Sequence, residues 1–361
     1  MLLRMVRRAA LVLASCVLLG CGSRGATSGK VTMFTRAWTL DADAPYGDGT
    51  LRSATLGDAT SLIDGRVLAT ATGAPRWAPQ GVALELTADG VIEKVVASER
   101  ITGLRVAEAA TGTTVRDVAL VDAAGAPVQL RAFNAGLAVH GGRFVHSYLG
   151  RAQAFELASG RQLWQQSVRG SSSVVVGAGA SFGLVSDDGL IVVDAATGTE
   201  RWRAPIEGGA DVVASPRGGF FVSRGDRVIE LDADGRELRS VPGRFSAADG
   251  EFLAVMHGPD VVVVDGAGGE VARIKPAGGS DYLSAPGLCG RAVVYFRKSD
   301  QTVWWHPAAG AEVPIVKLEA RSGEIEGQPR TVGPTLTEPP RCVAGLVLIQ
   351  DWSISAYRIP S

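Results

Sequence analysis

From about residue 53 onward the chain alternates short apolar runs with polar turns that carry glycine. The runs VVV (174–176), IVV (191–193) and VVVV (261–264) are continuously apolar and do not alternate. A strand reads this way when both of its faces are covered. No segment keeps a 3.6-residue apolar period, and Gly or Pro interrupts every candidate helix. The pattern predicts an all-β chain.

The turns recur. Gly90, Gly125, Gly160, Gly198, Gly235, Gly269 and Gly310 each end a similar phrase, such as LTADG, VDAATG or LDADG, at steps of 35, 35, 38, 37, 34 and 41 residues. Roughly twenty residues before the later ones lies a second glycine turn, as in HGGRFV, PRGGFFV and CGRAVVYF. Each unit therefore holds four short strands in about 37 residues, the proportion of a propeller blade. Blades are expected at 53–100, 101–132, 133–168, 169–208, 209–243, 244–280, 281–330 and 331–361. Eight is the favoured count. Seven stays open, because the first two units are poorly delimited.

The last unit ends after SISAYRI, one strand short. The isolated FTRAWTL (34–40) has the composition of an outer strand, with Trp38 as the counterpart of Trp164 and Trp202. Pairing it with the last blade closes the ring and leaves no open sheet edge between first and last blade.

The N-terminus changes the picture of where this propeller sits. Arg4, Arg7 and Arg8 precede an apolar stretch too short to span a bilayer, and small Gly20 precedes Cys21. The plain alternative is a secretory signal that happens to contain a cysteine. The order of charge, apolar stretch, small residue and Cys resembles the lipobox of bacterial lipoproteins. That resemblance implies a signal peptide at 1–20, acylation of Cys21, and a flexible tether over 21–30 leading into a propeller at 31–361. Multiple acyl chains hold a protein to a membrane stably where one is marginal. No later segment has 18 consecutive apolar residues.

Charge narrows the partners. The full chain carries 36 basic and 37 acidic residues. Removal of the signal takes three arginines and no acid, leaving 33 against 37, a net of −4. This mild balance gives no reason to expect nucleic acid as a partner. Beyond Cys21 the exported part holds Cys289 and Cys342. In an oxidising compartment the pair reads as a disulfide, with two buried thiols as the alternative.

The repeats resemble the quinoprotein-type propeller repeat, Ala-x-Asp-x-x-Thr-Gly-x-x-x-Trp. The match is closest at Asp194, Thr197, Gly198 and Trp202, and partial at Glu156, Gly160 and Trp164. Thr72, Gly73 and Trp77 share the last part, but their spacing to Gly90 breaks the period. Later blades keep Asp and Gly (Asp232 with Gly235, Asp265 with Gly269) and lose the Trp. In such a repeat the Trp packs on the neighbouring blade and the Asp and Gly build the turn. A lipid-anchored single propeller of this size also resembles the outer-membrane β-barrel assembly lipoprotein of the B type. That resemblance implies a scaffold that binds the barrel-inserting protein in the envelope, on the periplasmic face of the outer membrane in a two-membrane cell; in a one-membrane cell the anchor would place the chain at the cell surface.

Candidate chemistry is sparse. Quinoprotein dehydrogenases share the repeat but are longer, with adjacent cysteines and a calcium site; here no cysteines are adjacent. DADAPYGDGT (41–50) has Pro45 at a calcium-ligand position and no closing Glu. The four histidines form no zinc spacing, and no nucleophile elbow or phosphate loop occurs. We therefore expect no catalytic residue, metal or cofactor. Trp304 and Trp305 either pack between blades or form a partner-recognition patch. The expectation is a monomeric, non-enzymatic, membrane-anchored scaffold for a protein partner. The alternatives are a propeller that binds polysaccharide or a small ligand in its channel, and a quinone-dependent oxidoreductase.

Overall fold

Runs rich in Val, Ile and Phe become strands wherever a glycine turn lets the chain reverse, and among the described residues every regular element is a strand. The structure is a computed structural model. It describes residues 34–41, 54–57, 59–63, 65–88, 90–133, 135–169, 174–187, 189–206, 211–278, 283–308, 311–319, 321–325, 328–332, 336, 339–350 and 353–360. Residues 1–20, expected to be a signal peptide, Cys21, the expected tether over 21–30 and most of 41–50 lie outside the described residues.

Eight antiparallel four-stranded blades form a β-propeller. Blade 3 is representative: Gly136–His140, Arg143–Tyr148, Arg151–Glu156 and Gln162–Ser167 pair in sequence order from the inner to the outer edge. Blades 4, 5 and 6 follow the same order over 174–204, 212–242 and 244–274. These agree with the boundaries read from the sequence.

Three boundaries need correction. Blade 1 spans 54–77 and blade 2 spans 82–119, in place of 53–100 and 101–132. The reading slipped because Gly90 sits in the first hairpin of blade 2, not in its last. Gly125 belongs to a connection beyond that blade's outer strand. The outer-hairpin glycines of the first two blades are Gly73 and Gly112. Blade 7 ends at 317, and Arg321–Ile325 with Gln328–Val332 forms a separate two-stranded hairpin.

The eighth blade is closed by the N-terminal strand. Arg341–Val343, Leu346–Gln350 and Ser353–Arg358 are completed by Thr35–Asp41, which pairs from Thr35 opposite Arg358 to Asp41 opposite Ser353. The far ends of the chain are thereby hydrogen-bonded in one sheet, and Leu346, Leu348 and Ala356 pack on Ile63 and Leu68 of blade 1.

The core is a ring of inter-blade layers. Neighbouring residues of one strand serve opposite neighbours: Phe220 packs toward blade 4 and Phe221 toward blade 6. Likewise Val293 faces blade 6 and Val294 faces blade 8. This is why the middle strands read as continuous apolar runs. Each such buried Val or Phe contributes about 1.5–3 kcal/mol. The meander also sorts the turns. First-to-second and third-to-outer turns share one face of the ring. Second-to-third turns and the inter-blade connections share the other.

Candidate functional site

One register position recurs in the outer strands. A bulge follows the third-to-outer turn, and the residue opposite the third strand just beyond it is Trp77, Trp164 or Trp202 in blades 1, 3 and 4. Each indole Nε1 donates to a backbone carbonyl in the next blade's turn: Trp77 to Ala109 at 3.1 Å, Trp164 to Ala195 at 3.1 Å, Trp202 to Ala233 at 2.9 Å. Each ring lies over that turn's glycine. A Cβ at Gly198, whose φ is +71°, would stand 2.6 Å from Cγ of Trp164, and Gly112 and Gly235 face Trp77 and Trp202 as closely. The Trp and the turn Gly are one contact seen from two blades. Trp38 stands opposite Ala356 beside the same kind of bulge, so the closing strand holds the same register. Its side chain lies outside the described residues.

The turn itself is set by its acid. The Asp194 carboxylate accepts the Thr197 and Ala196 N–H groups at 3.0 Å and the Arg201 guanidinium at 2.8 Å. The Thr197 amide and Arg201 together hold its pKa down at about 2. In blade 6 the left-handed turn glycine is Gly268, with φ +85°, so the Gly269 marker is displaced by one residue. Gly310 lies outside the described residues.

Where the Trp is lost, other chemistry fills the position. In blade 5 it is Arg239, opposite Glu230. Both side chains are buried, at 4% and 1% exposure, and Arg239 Nε donates to Glu230 Oε2 at 2.6 Å. Arg239 Nη1 also donates to the carbonyls of Glu251 and Asp265 in blade 6, and Arg217 Nη2 donates to that of Gly266 at 2.9 Å. The guanidinium thus makes the reach to the next turn that an indole makes elsewhere, and it lies 5.7 Å from the Phe221 ring centre. In blade 6 the position holds Ala272. A cavity of about 500 Å³ opens beside it, bounded by Ala308 of blade 7 and Asp265.

The first strands line a cavity of about 890 Å³ at the axis. Its wall includes Val176, Val212, Phe245, Asp249, Leu288 and Cys342, drawn from blades 4 to 8. Cys289 and Cys342 form a disulfide with Cα atoms 5.4 Å apart, joining the first strands of blades 7 and 8.

Trp304 and Trp305 do not make one patch. They point to opposite faces of blade 7. Trp304 donates Nε1 to the Asp300 carboxylate at 3.1 Å and lies 4.8 Å from the Arg297 guanidinium on the side of blade 6. Trp305 packs toward blade 8, with its ring 5.5 Å from that of Phe34. Both are half-buried. Beside Trp304, Tyr295 and Arg297 donate to Glu312. Burial pushes the Glu312 carboxyl up, but these donors outweigh it and leave it below its ordinary value.

The histidines are separate from one another in role. His140 bonds the Gly179 carbonyl of blade 4 at 2.9 Å, and buried His146 bonds the Arg131 carbonyl at 2.9 Å. Burial lowers the His146 pKa. Lys94 donates to the Ala132 carbonyl at 3.0 Å, and burial lowers its pKa as well. Among the described residues no three His, Cys, Asp or Glu side chains are grouped to hold a metal ion.

A family model described as outer membrane protein assembly factor BamB matches residues 149–287. No curated protein matches the chain in sequence. The crystal structure of BamB from Moraxella catarrhalis superposes with a TM-score of 0.54 at 13% identity, over 90% of this chain and 98% of that one. The computationally designed Ika8 protein superposes with a TM-score of 0.54 at 15% identity, over 89% of this chain and 100% of that one.

Proposed function

The chain is a propeller of quinoprotein-type repeats resembling BamB, and from that premise we propose that it is a non-enzymatic scaffold in outer-membrane protein assembly. It would be held to the membrane by acylated Cys21 and would present a rigid ring to a protein partner in the envelope. The observation that carries this reading is the match of the BamB family model to residues 149–287. That stretch holds the best-formed repeats, from the third strand of blade 3 into the first strand of blade 7. A ring whose every inter-blade layer is packed suits a platform, because a packed body fixes where its loops stand.

The test is cross-linking in the native envelope, followed by affinity purification and mass spectrometry. Reproducible capture of the barrel-assembly machinery is the expected result. Capture of nothing, with the protein abundant and folded, would overturn the scaffold reading. A second reading, ligand binding at the axis, is favoured by the cavity of about 890 Å³ there. Its test is retention of the protein on envelope glycans without any protein cross-link.

A further inference from the structure

A second cavity, of about 560 Å³, lies away from the axis between blade 3 and the connection that follows the outer strand of blade 2. The connection arises as follows. After the outer strand Thr114–Ala119, Val121 pairs in parallel with Arg161 on the edge of blade 3. The Val121 N–H donates to the Gly160 carbonyl at 3.0 Å, and the Gln162 N–H donates to the Val121 carbonyl at 2.8 Å. Asp122 then turns the chain, its Oδ1 accepting the Ala124 and Ala126 N–H groups at 2.9 and 2.8 Å. The chain returns to pair Leu130–Arg131 with the third strand of blade 2. The arch so formed stands beside the face of blade 3 and bounds one side of the cavity, which is open to solvent on the other.

Gln153 lies on that face, opposite His146 and Gln165 in the sheet. It is only 7% exposed, yet it lines the cavity, and among the described residues no protein group hydrogen-bonds its side-chain amide. Its amide faces the open cavity, so its partners come from whatever fills that space. Its neighbour Gln165 is half-engaged: its Oε1 accepts from Arg151 and from Gln162 Nε2, which leaves its own amide hydrogens for the cavity. The opposite wall sets Pro127, Val128 and Leu130 beside Asp122 and Gln129, and Arg151 lines the blade side with the glutamines.

These features select the chemistry of an occupant. A primary amide offers a donor and an acceptor side by side. Another amide satisfies both, whereas a carboxylate or an ammonium satisfies one. Pro127, Val128 and Leu130 accept a small apolar side chain, and the lining has no aromatic ring on which a sugar would stack. We propose that this cavity binds an extended peptide segment of a partner protein, with an amide of the segment exchanging paired hydrogen bonds with Gln153. The proposal rests on the protein-binding reading above and gives it a location.

The probe is a phage-displayed library of random dodecapeptides, selected on the full-length chain purified in detergent. Enriched peptides are synthesised and titrated by calorimetry against the wild type, Gln153→Leu and Leu238→Ser, whose side chain is exposed on blade 5. The expected result is saturable one-to-one binding, weakened about tenfold or more by Gln153→Leu and unchanged by Leu238→Ser. If Gln153→Leu does not fold, Val128→Glu on the half-exposed wall replaces it with the same expected loss. A cavity that holds only water yields no peptide whose binding depends on Gln153 or Val128, and that overturns the proposal. Binding of chito-oligosaccharides in place of peptides overturns it too. Native cross-linking of the Gln153→Leu strain separates the two readings. Unchanged capture of a partner sinks the peptide site alone, whereas no capture by the wild type sinks the scaffold.

Discussion

Replacing Glu230 by Ala tests whether the buried arginine of blade 5 stands in for the repeat's tryptophan. The wild-type pair is almost wholly out of water, with a 2.6 Å contact between Arg239 Nε and Glu230 Oε2. Ser215 adds a hydroxyl donor to the same carboxylate. Removing the carboxylate leaves a buried guanidinium with only backbone carbonyls and the Phe221 ring beside it. Breaking such a pair from one side costs about 3–5 kcal/mol. For roughly 330 residues the entropy of unfolding is about 0.7 kcal/mol per degree, so the melting temperature should fall by about 4–7 °C.

The companion variant removes the charge altogether. Arg239→Trp with Glu230→Leu restores the aromatic residue and leaves no buried charge, so its stability should lie within about 1 kcal/mol of the wild type or above it. The assay is equilibrium unfolding in guanidinium chloride for the wild type, Glu230→Ala, Glu230→Leu, Arg239→Trp and the double Arg239→Trp with Glu230→Leu, with the slope checked for constancy. The coupling energy of the cycle should be large. A loss below about 1 kcal/mol for Glu230→Ala, with additive single effects, would refute the reasoning. It would mean that the pair is solvated in solution and that Arg239 is not an inter-blade contact.

Ala272→Trp should raise the melting point by filling the hollow beside blade 6, worth about 0.5–2 kcal/mol; a drop on calorimetry would show that the neighbouring turn does not yield. Deleting residues 34–40 should collapse cooperative unfolding, since blade 8 would lose its outer strand; an unchanged melting curve would count against the closure. Replacing Cys289 and Cys342 by Ser should cost about 4 kcal/mol in the chain-entropy model for a separation of 53 residues, and reductant should lower the wild-type midpoint to match. Asp194→Asn should destabilise at neutral pH. The folded pKa of about 2 lies below the unfolded value, so this stabilisation is present above about pH 4 and lost as pH falls toward 2. The gap between variant and wild type in pH-dependent melts should close over that window.

The parts of this fold that were legible are those where one residue type meets one geometric need. Gly160, Gly198 and Gly235 sit at left-handed turn positions, and their spacing marks blades 3 to 5 correctly. The first two blades misled for a local reason. Thr111 and Gly112 form a proper outer turn, but Arg116 stands where the Trp would be, and the arch of 120–131 adds a competing glycine at Gly125. A period counted from the most similar phrases locked onto Gly90 and Gly125 and stepped past the true turns.

The same comparison explains why the sites were harder to read than the ring. Arg239 was visible in one respect only: it lies four residues after a turn glycine, as Trp164 and Trp202 do. What made it informative was the acid opposite it, and Glu230 is nine residues away along the chain. Gln153 carried no signal at all, because a glutamine in the third strand of a blade is unremarkable until a neighbouring connection arches beside it. Turn chemistry is local and therefore survives in sequence. An inter-blade contact is a property of two strands brought together by closure, and only the position of the partner turns an ordinary residue into a buried ion pair or a cavity-facing amide. The ring supplies the same inter-blade reach to indole and guanidinium alike: blades 1, 3 and 4 use the first, and blade 5 uses the second with its charge answered by Glu230.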